Sequence, residues 1–365
     1  MKAVLGSRWF RGAISLAVVV VIFAFFFPMV ADYGAVWDTI AAMTPIELAI
    51  LGLVAAWNIV SYWPMLTAVQ PGLRAREAAV ANLASTAVAN TVPGGGALGV
   101  GATMTMQRSW GIPVSQTALA LVVAGVWNNF IKLGLPVVAL ALLAVQGQAG
   151  PALITAALIG VLVLATAIAL FALLLRGESA AAAVGRITGR VASALVRPFG
   201  RPPVKGWDGR AVQFRRDVTG LLRRRWVRIT VTTFISHLSL YTVLLVALRD
   251  VGVSNDEVSW QEVLAAFSFV RLLSAVPVTP GGLGLVELGL TAALGSGLPD
   301  TTKNQIAAAV LVYRGLTWLV PVPLGIGCWV FWRRNRSWRR TIEARAVERG
   351  AEGADLAEPR TTAVG

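Results

Sequence analysis

Two stretches read almost alike, NTVPGGGALGVG at 90–101 and TPGGLGLVE at 279–287. Each interrupts an apolar segment near its middle, the first within 78–107 and the second within 259–297. Proline ends a helix, and consecutive glycines reach backbone angles closed to other residues, so each half is too short to cross the hydrocarbon as one helix. The economical reading is a pair of re-entrant hairpins. A bilayer tolerates these only where protein or a water-filled cavity surrounds the exposed backbone.

The likeness extends outward from the two motifs. A span precedes each, at 46–68 and 227–248, and a long proline-containing span follows each, with Pro136 in one and Pro321 in the other. Pro93-Gly94-Gly95 corresponds to Pro280-Gly281-Gly282, an offset of about 185 residues, which defines repeat halves at about 46–146 and 227–332. Three full spans separate the motifs, so the copies enter the membrane from opposite faces. In transporters, inverted repeats of this kind place broken helices at the midplane, where substrate binds.

Composition agrees with that reading. Of 365 residues 56% are hydrophobic and only 14% charged, which is too apolar for the surface of a soluble domain of this size. Full-length spans are expected at 12–31, 46–68, 114–146, 152–175, 227–248 and 304–332, which makes an all-α integral membrane protein of about six spans plus two re-entrant hairpins in an inverted repeat. The 12–31 run follows Lys2, Arg8 and Arg11 and reads as an uncleaved first span. Arg and Lys cluster before residue 12, across 176–228 and from Arg333 onward. Basic loops stay on the cytoplasmic side, so both termini are expected there. The preference for Arg over Lys, with abundant Ala, Gly and Val, suggests a bacterial cell membrane. The net charge of +14 flanks apolar runs without any groove-reading motif, so nucleic acid is not an expected partner. Single residues of Cys (Cys328) and His (His237) exclude a thiolate cluster and a His-rich metal site, and no cofactor is expected.

Ionisable residues in apolar segments cost ~2.5 kcal/mol or more at mid-membrane unless paired or hydrated, and they mark functional sites. Lys132, Arg271, Glu287 and Arg314 qualify. Glu287 is expected to partner one arginine and leave the other for an anionic group, with Asn128, Asn129 and Lys132 holding a similar place after the first hairpin. The turns Pro93, Gly94, Gly95, Gly96 and Pro280, Gly281, Gly282, Gly284 would act as hinges and offer backbone N–H groups at fresh helix N-termini to a phosphate. The alternative for these glycines is close helix packing; for the charges it is a structural buried ion pair. Glu77 and Glu262 read as helix caps, His237 as a packing residue, and most tryptophans as interfacial anchors. The Arg-rich segment 176–226 reads as a cytoplasmic loop, or in part as an amphipathic helix on the inner leaflet. The tail 333–365 is basic, then disordered from 343.

At TPGGLGLVE, preceded by Arg271 and followed by Arg314, the chain resembles the flippase-like transmembrane domain of the lysylphosphatidylglycerol synthases and its stand-alone relatives. The likeness covers most of 12–332. The first motif, with its extra glycine and no acid at the place of Glu287, is looser. The resemblance implies movement of an anionic phospholipid or lipid-linked precursor between leaflets, through a polar cavity that carries the headgroup while the acyl chains stay in lipid. The synthases add a soluble domain that transfers lysine from tRNA to phosphatidylglycerol. Nothing after residue 332 is expected to fold into such a domain, so no enzyme activity is expected. A homodimer and a separate lipid-modifying enzyme are possible partners. A secondary transporter of a small anionic solute, or a non-transporting scaffold for envelope assembly, are the competing functions.

Overall fold

A computed structural model describes residues 33–91, 95–145, 147, 151–196, 206–274 and 282–347. The expected span at 12–31 and the turn residues Pro93, Gly94, Pro280 and Gly281 lie outside the described residues. Twelve α-helices run in order among them: α1 Tyr33–Ala41, α2 Pro45–Val69, α3 Ala75–Thr91, α4 Gly95–Ser109, α5 Val114–Val145, α6 Pro151–Arg176, α7 Glu178–Val196, α8 Trp207–Asp250, α9 Trp260–Leu273, α10 Leu285–Gly295, α11 Asp300–Arg314 and α12 Pro321–Arg334. Five helical stretches are long and apolar enough to span a membrane: Pro45–Val69, Val114–Val145, Ile154–Arg176, Trp207–Asp250 and Asp300–Arg334. Each expected hairpin is a pair of short helices, α3 with α4 and α9 with α10. The protein is an all-α membrane protein.

The last span is one helix with a widened turn. A π-turn over Gly315–Leu319 joins α11 to α12, closed by the Val320 N–H donating to Gly315 O at 2.9 Å. Pro321 has no N–H to return to the preceding turn, and within the widened turn the Thr317 hydroxyl donates to Tyr313 O (2.7 Å).

The order helix, broken pair, long proline-containing helix occurs twice, and the packing is reciprocal. Helix α2 lies along α8, its counterpart, while α3 packs on α12 and α9 packs on α5. Each hairpin is therefore held by the final helix of the other half. The Ser61 hydroxyl of α2 and the Ser239 hydroxyl of α8 meet at 2.8 Å. The largest core joins α8 to α11, with Leu51 of α2 and Leu135 and Ala139 of α5. Helix α6 stands at the rim with its apolar window wholly unburied, as suits a lipid-facing helix.

Between residues 176 and 228 the chain is helical where described. Helix α7 lies against the start of α8, with Gly185 and Gly189 letting Trp207 approach, and α8 begins about twenty residues before the expected span. The expected loop is thus largely helix, because its Val, Ile and Leu residues find a packing face. The tail also departs from expectation. Residues 342–347 are helical, and Arg345 is buried, its guanidinium donating to both Glu77 carboxylate oxygens (2.9 and 2.7 Å) and to the carbonyls of Trp110 and Gly72. A polar segment with no apolar periodicity is held here by this multidentate side chain together with Trp338, which packs on Trp110 and Phe331.

Candidate functional site: a cationic cavity

A polar cavity of about 500 Å³ lies where the two halves meet. Helix α2 supplies Asn58, Ile59 and Tyr62, α3 supplies Asn82, Leu83 and Thr86, and α5 supplies Gly125, Asn128, Asn129 and Lys132. Ser236, His237 and Leu240 of α8, Arg271 of α9, Thr317 of the π-turn and Pro321 of α12 close the wall.

Positions in the wall recur at two fixed spacings. Asn58 and Ser236, Ile59 and His237, and Tyr62 and Leu240 are each 178 residues apart, the same spacing as Ser61 and Ser239. Thr86 and Arg271, and Lys132 and Thr317, are each 185 apart. Each half thus gives the cavity one cation and one threonine, from exchanged positions.

Arg271 and Lys132 are both half-buried and have no acidic partner among the described residues. Among the described residues the wall contains no Asp or Glu. The Nε of Arg271 is buried without a hydrogen-bond partner, as is the Nε2 of His237. Two cations in a low-dielectric wall, short of acceptors, create a strong preference for an anion. Asn128 anchors the polar rim, its amide donating to Ala124 O (2.9 Å).

The other sequence candidates lie elsewhere. Glu287 is 1% exposed and its Oε1 accepts from Arg314 Nε at 2.7 Å, while Oε2 accepts from the Gly284 N–H at 2.7 Å. Arg314, 12% exposed, also sits 5.8 Å from the Trp318 ring centroid. Neither residue lines the cavity. Glu287 thus partners one arginine, Arg314, away from the wall, and the other, Arg271, faces the cavity with Lys132 and Asn129.

Pro93, Gly94, Pro280 and Gly281 lie outside the described residues, and the described glycines of the two turns are placed as follows. Gly284 (φ +82°) lets the chain turn into α10, but its N–H is committed to Glu287. Gly282 has φ +72° and, like Gly284, is absent from the wall. Gly95 is buried where a Cβ would strike the carbonyls of Val88 and Ala89, and at Gly99 it would come 2.9 Å from Ser85 O. These two let α3 and α4 close on each other, the packing role; Gly96 points into open space. None of these glycines lines the cavity.

His237 is the residue sequence reasoning undervalued. No titratable group lies near it in sequence, which reads as packing, yet Arg271 and Lys132 reach the same cavity from α9 and α5. Asn58, Asn82 and Tyr62 were also missed, and the available signal was a polar side chain within apolar helical periodicity. Glu262 forms a capping box with Ser259, as expected (Ser259 N–H to Oε2, 2.7 Å), whereas Glu77 caps α3 through the Arg74 N–H (3.0 Å) and also holds Arg345.

The fold and this cavity define a multi-pass helical membrane protein with a cationic internal site. Residues 12–325 match the lysylphosphatidylglycerol synthase TM region family, and the chain belongs to it. No curated protein matches the chain.

Proposed function

We propose that the protein carries an anionic phospholipid, or a lipid-linked precursor, between leaflets, the headgroup crossing on Arg271 and Lys132 while the acyl chains stay in the bilayer. The observation that carries this reading is a polar cavity with two cations and, among the described residues, no carboxylate in its wall. Family membership agrees with lipid as the cargo. The reading puts the protein in a bacterial cell membrane with both termini cytoplasmic. It acts without covalent chemistry of its own, beside a separate enzyme that modifies the lipid.

The test is reconstitution of the full chain in liposomes with fluorescent anionic and zwitterionic lipids, comparing wild type with Arg271→Ala and Lys132→Ala. Wild type is expected to flip anionic lipid preferentially, and each substitution to slow it by roughly tenfold or more, the scale of one charge-assisted contact, with thermal stability retained. Flipping that ignores the headgroup, or survives loss of both cations, overturns the reading. Concentrative uptake of a soluble anion without lipid movement would favour the solute transporter.

A further inference from the structure

A further cavity, of about 520 Å³, lies between the spans α5 and α6 and the helices α7 and α8. Val122 and Val126 of α5, Phe171 and Leu174 of α6, Val184 of α7 and Phe214 of α8 give it an apolar wall. Volume and lining are those of a site for an apolar ligand. The groove opens toward lipid, because Val122 is 49% and Leu174 44% exposed, and α6 is the helix whose apolar window is wholly unburied. Apolar walls give ordered water no partners, so an apolar chain is what fills such a space.

Beside the Trp207 indole, the polar members of the wall are Thr188, Arg210 and Arg215. The Thr188 hydroxyl donates to Val184 O in its own helix (2.9 Å). Arg215 caps the end of α6, donating to the carbonyls of Leu175 (2.8 Å) and Arg176 (3.2 Å). Arg210 is different. Among the described residues its side chain has neither an ion pair nor a hydrogen bond, and the wall has no Asp or Glu. Val218, also in the wall, follows Arg210 by eight residues in α8, about 12 Å along the helix at ~1.5 Å per residue. An apolar trough of that length thus runs from an unengaged cation.

We infer that this groove holds one acyl chain of an anionic phospholipid, with the phosphate on Arg210. The lipid is a resident that ties α7 and the start of α8 to the bilayer, and it is not cargo. A bilayer offers the same chains under zwitterionic and anionic heads, and the charge of Arg210, with no carboxylate beside it in the wall, selects the anionic ones. The inference stands apart from lipid carriage through the central cavity, since the two walls share no residue.

The experiment photolabels the full chain in phosphatidylcholine liposomes that carry a trace of phospholipid with a diazirine on one acyl chain, its head either phosphatidic acid or phosphatidylcholine. Label on the groove peptides, 118–126 and 181–188, is read relative to label on the lipid-facing stretch 154–163 of α6. Wild type is expected to show roughly fivefold more groove label with the anionic probe than with the zwitterionic one, the effect of one arginine near a membrane surface. Arg210→Gln should remove that preference. Val122→Trp fills the groove from its exposed side and should cut groove label from both probes while the α6 stretch is unchanged; Leu174→Trp, from the opposite wall, should do the same.

Equal groove label from the two probes in wild type, or a preference that survives Arg210→Gln, overturns the anionic assignment. Groove label no higher in wild type than in the two filled variants shows that no chain enters, and the inference falls. Groove label that rises as the protein is diluted in the liposomes puts a second copy of the chain there, and also overturns it. Arg271→Ala distinguishes this site from the carrier site. Unchanged groove label supports a separate resident lipid even where flipping is lost, whereas groove label lost with Arg271 makes the groove an arm of the cargo path and overturns the resident assignment.

Discussion

Glu287 and Arg314 meet inside the protein at 2.7 Å, and a buried pair of this kind matters most when it is broken. Removing one partner strands the other charge, at a cost of about 3–5 kcal/mol. Glu287→Gln and Arg314→Ala are therefore expected to lower the melting temperature sharply in detergent, while Arg271→Ala, which removes a cation with no partner to strand, leaves it near wild type. A melting curve of each variant checks this ordering, and equal losses at Arg271 and Glu287 would contradict it. The sequence made the three residues candidates because ionisable groups are rare in apolar segments. It could not say which arginine takes the acid, since that depends on α11 lying beside α10, a distance of 27 residues closed only by tertiary packing. The same limit hid His237, whose companions arrive from other helices.

At the level of elements, the hairpins and their flanking spans were legible because proline and glycine punctuate long apolar runs. What the glycines do was less legible, since close packing and an open backbone call for the same residue. Gly325 shows the packing role at a contact between halves: a Cβ there would strike Leu83 O and come 2.6 Å from the Ala87 Cβ, both in α3. Gly325→Val is expected to push α12 off the first hairpin and reduce folded yield by fluorescence-detected size exclusion. Gly327→Val, one turn-face away with nothing within 4 Å, serves as the tolerated control. The tip of α3 also reaches the π-turn, the Asn90 amide donating to Trp318 O at 3.2 Å, which couples the first hairpin to the widened turn beside the cavity.

Across the whole molecule, the segment after α12 folds back on the first hairpin. Arg340 N–H donates to Ser109 O (3.1 Å), Arg76 lies 5.0 Å from the Trp338 ring centroid, and Arg345 closes on Glu77. Arg345→Ala would leave the Glu77 carboxylate buried without its cation, and is expected to destabilise the protein by about 3–5 kcal/mol. The double substitution Arg345→Ala with Glu77→Ala should recover part of the loss, since no lone charge remains. Thermal melts of the two single variants and the double form a cycle that measures the coupling; simple additivity would show that the clasp contributes nothing as a pair. Little in the tail's composition announced this, because Arg345 meets a carboxylate and two backbone carbonyls and Trp338 alone supplies an aromatic contact, with Trp110 and Phe331, so no apolar periodicity marks the segment.

The exchange of hairpin and final helix between the halves has a consequence in time. The first hairpin leaves the ribosome about 210 residues before α12, the helix that will cover it, which at ~5–20 residues per second is a delay of roughly 10–40 s. Through that interval α3 is without the α12 face it packs on, and a broken pair of short helices is not a state that lipid alone tolerates. The nascent chain must therefore keep its first hairpin sheltered, at the interface or within the insertion machinery, until its last helix is made.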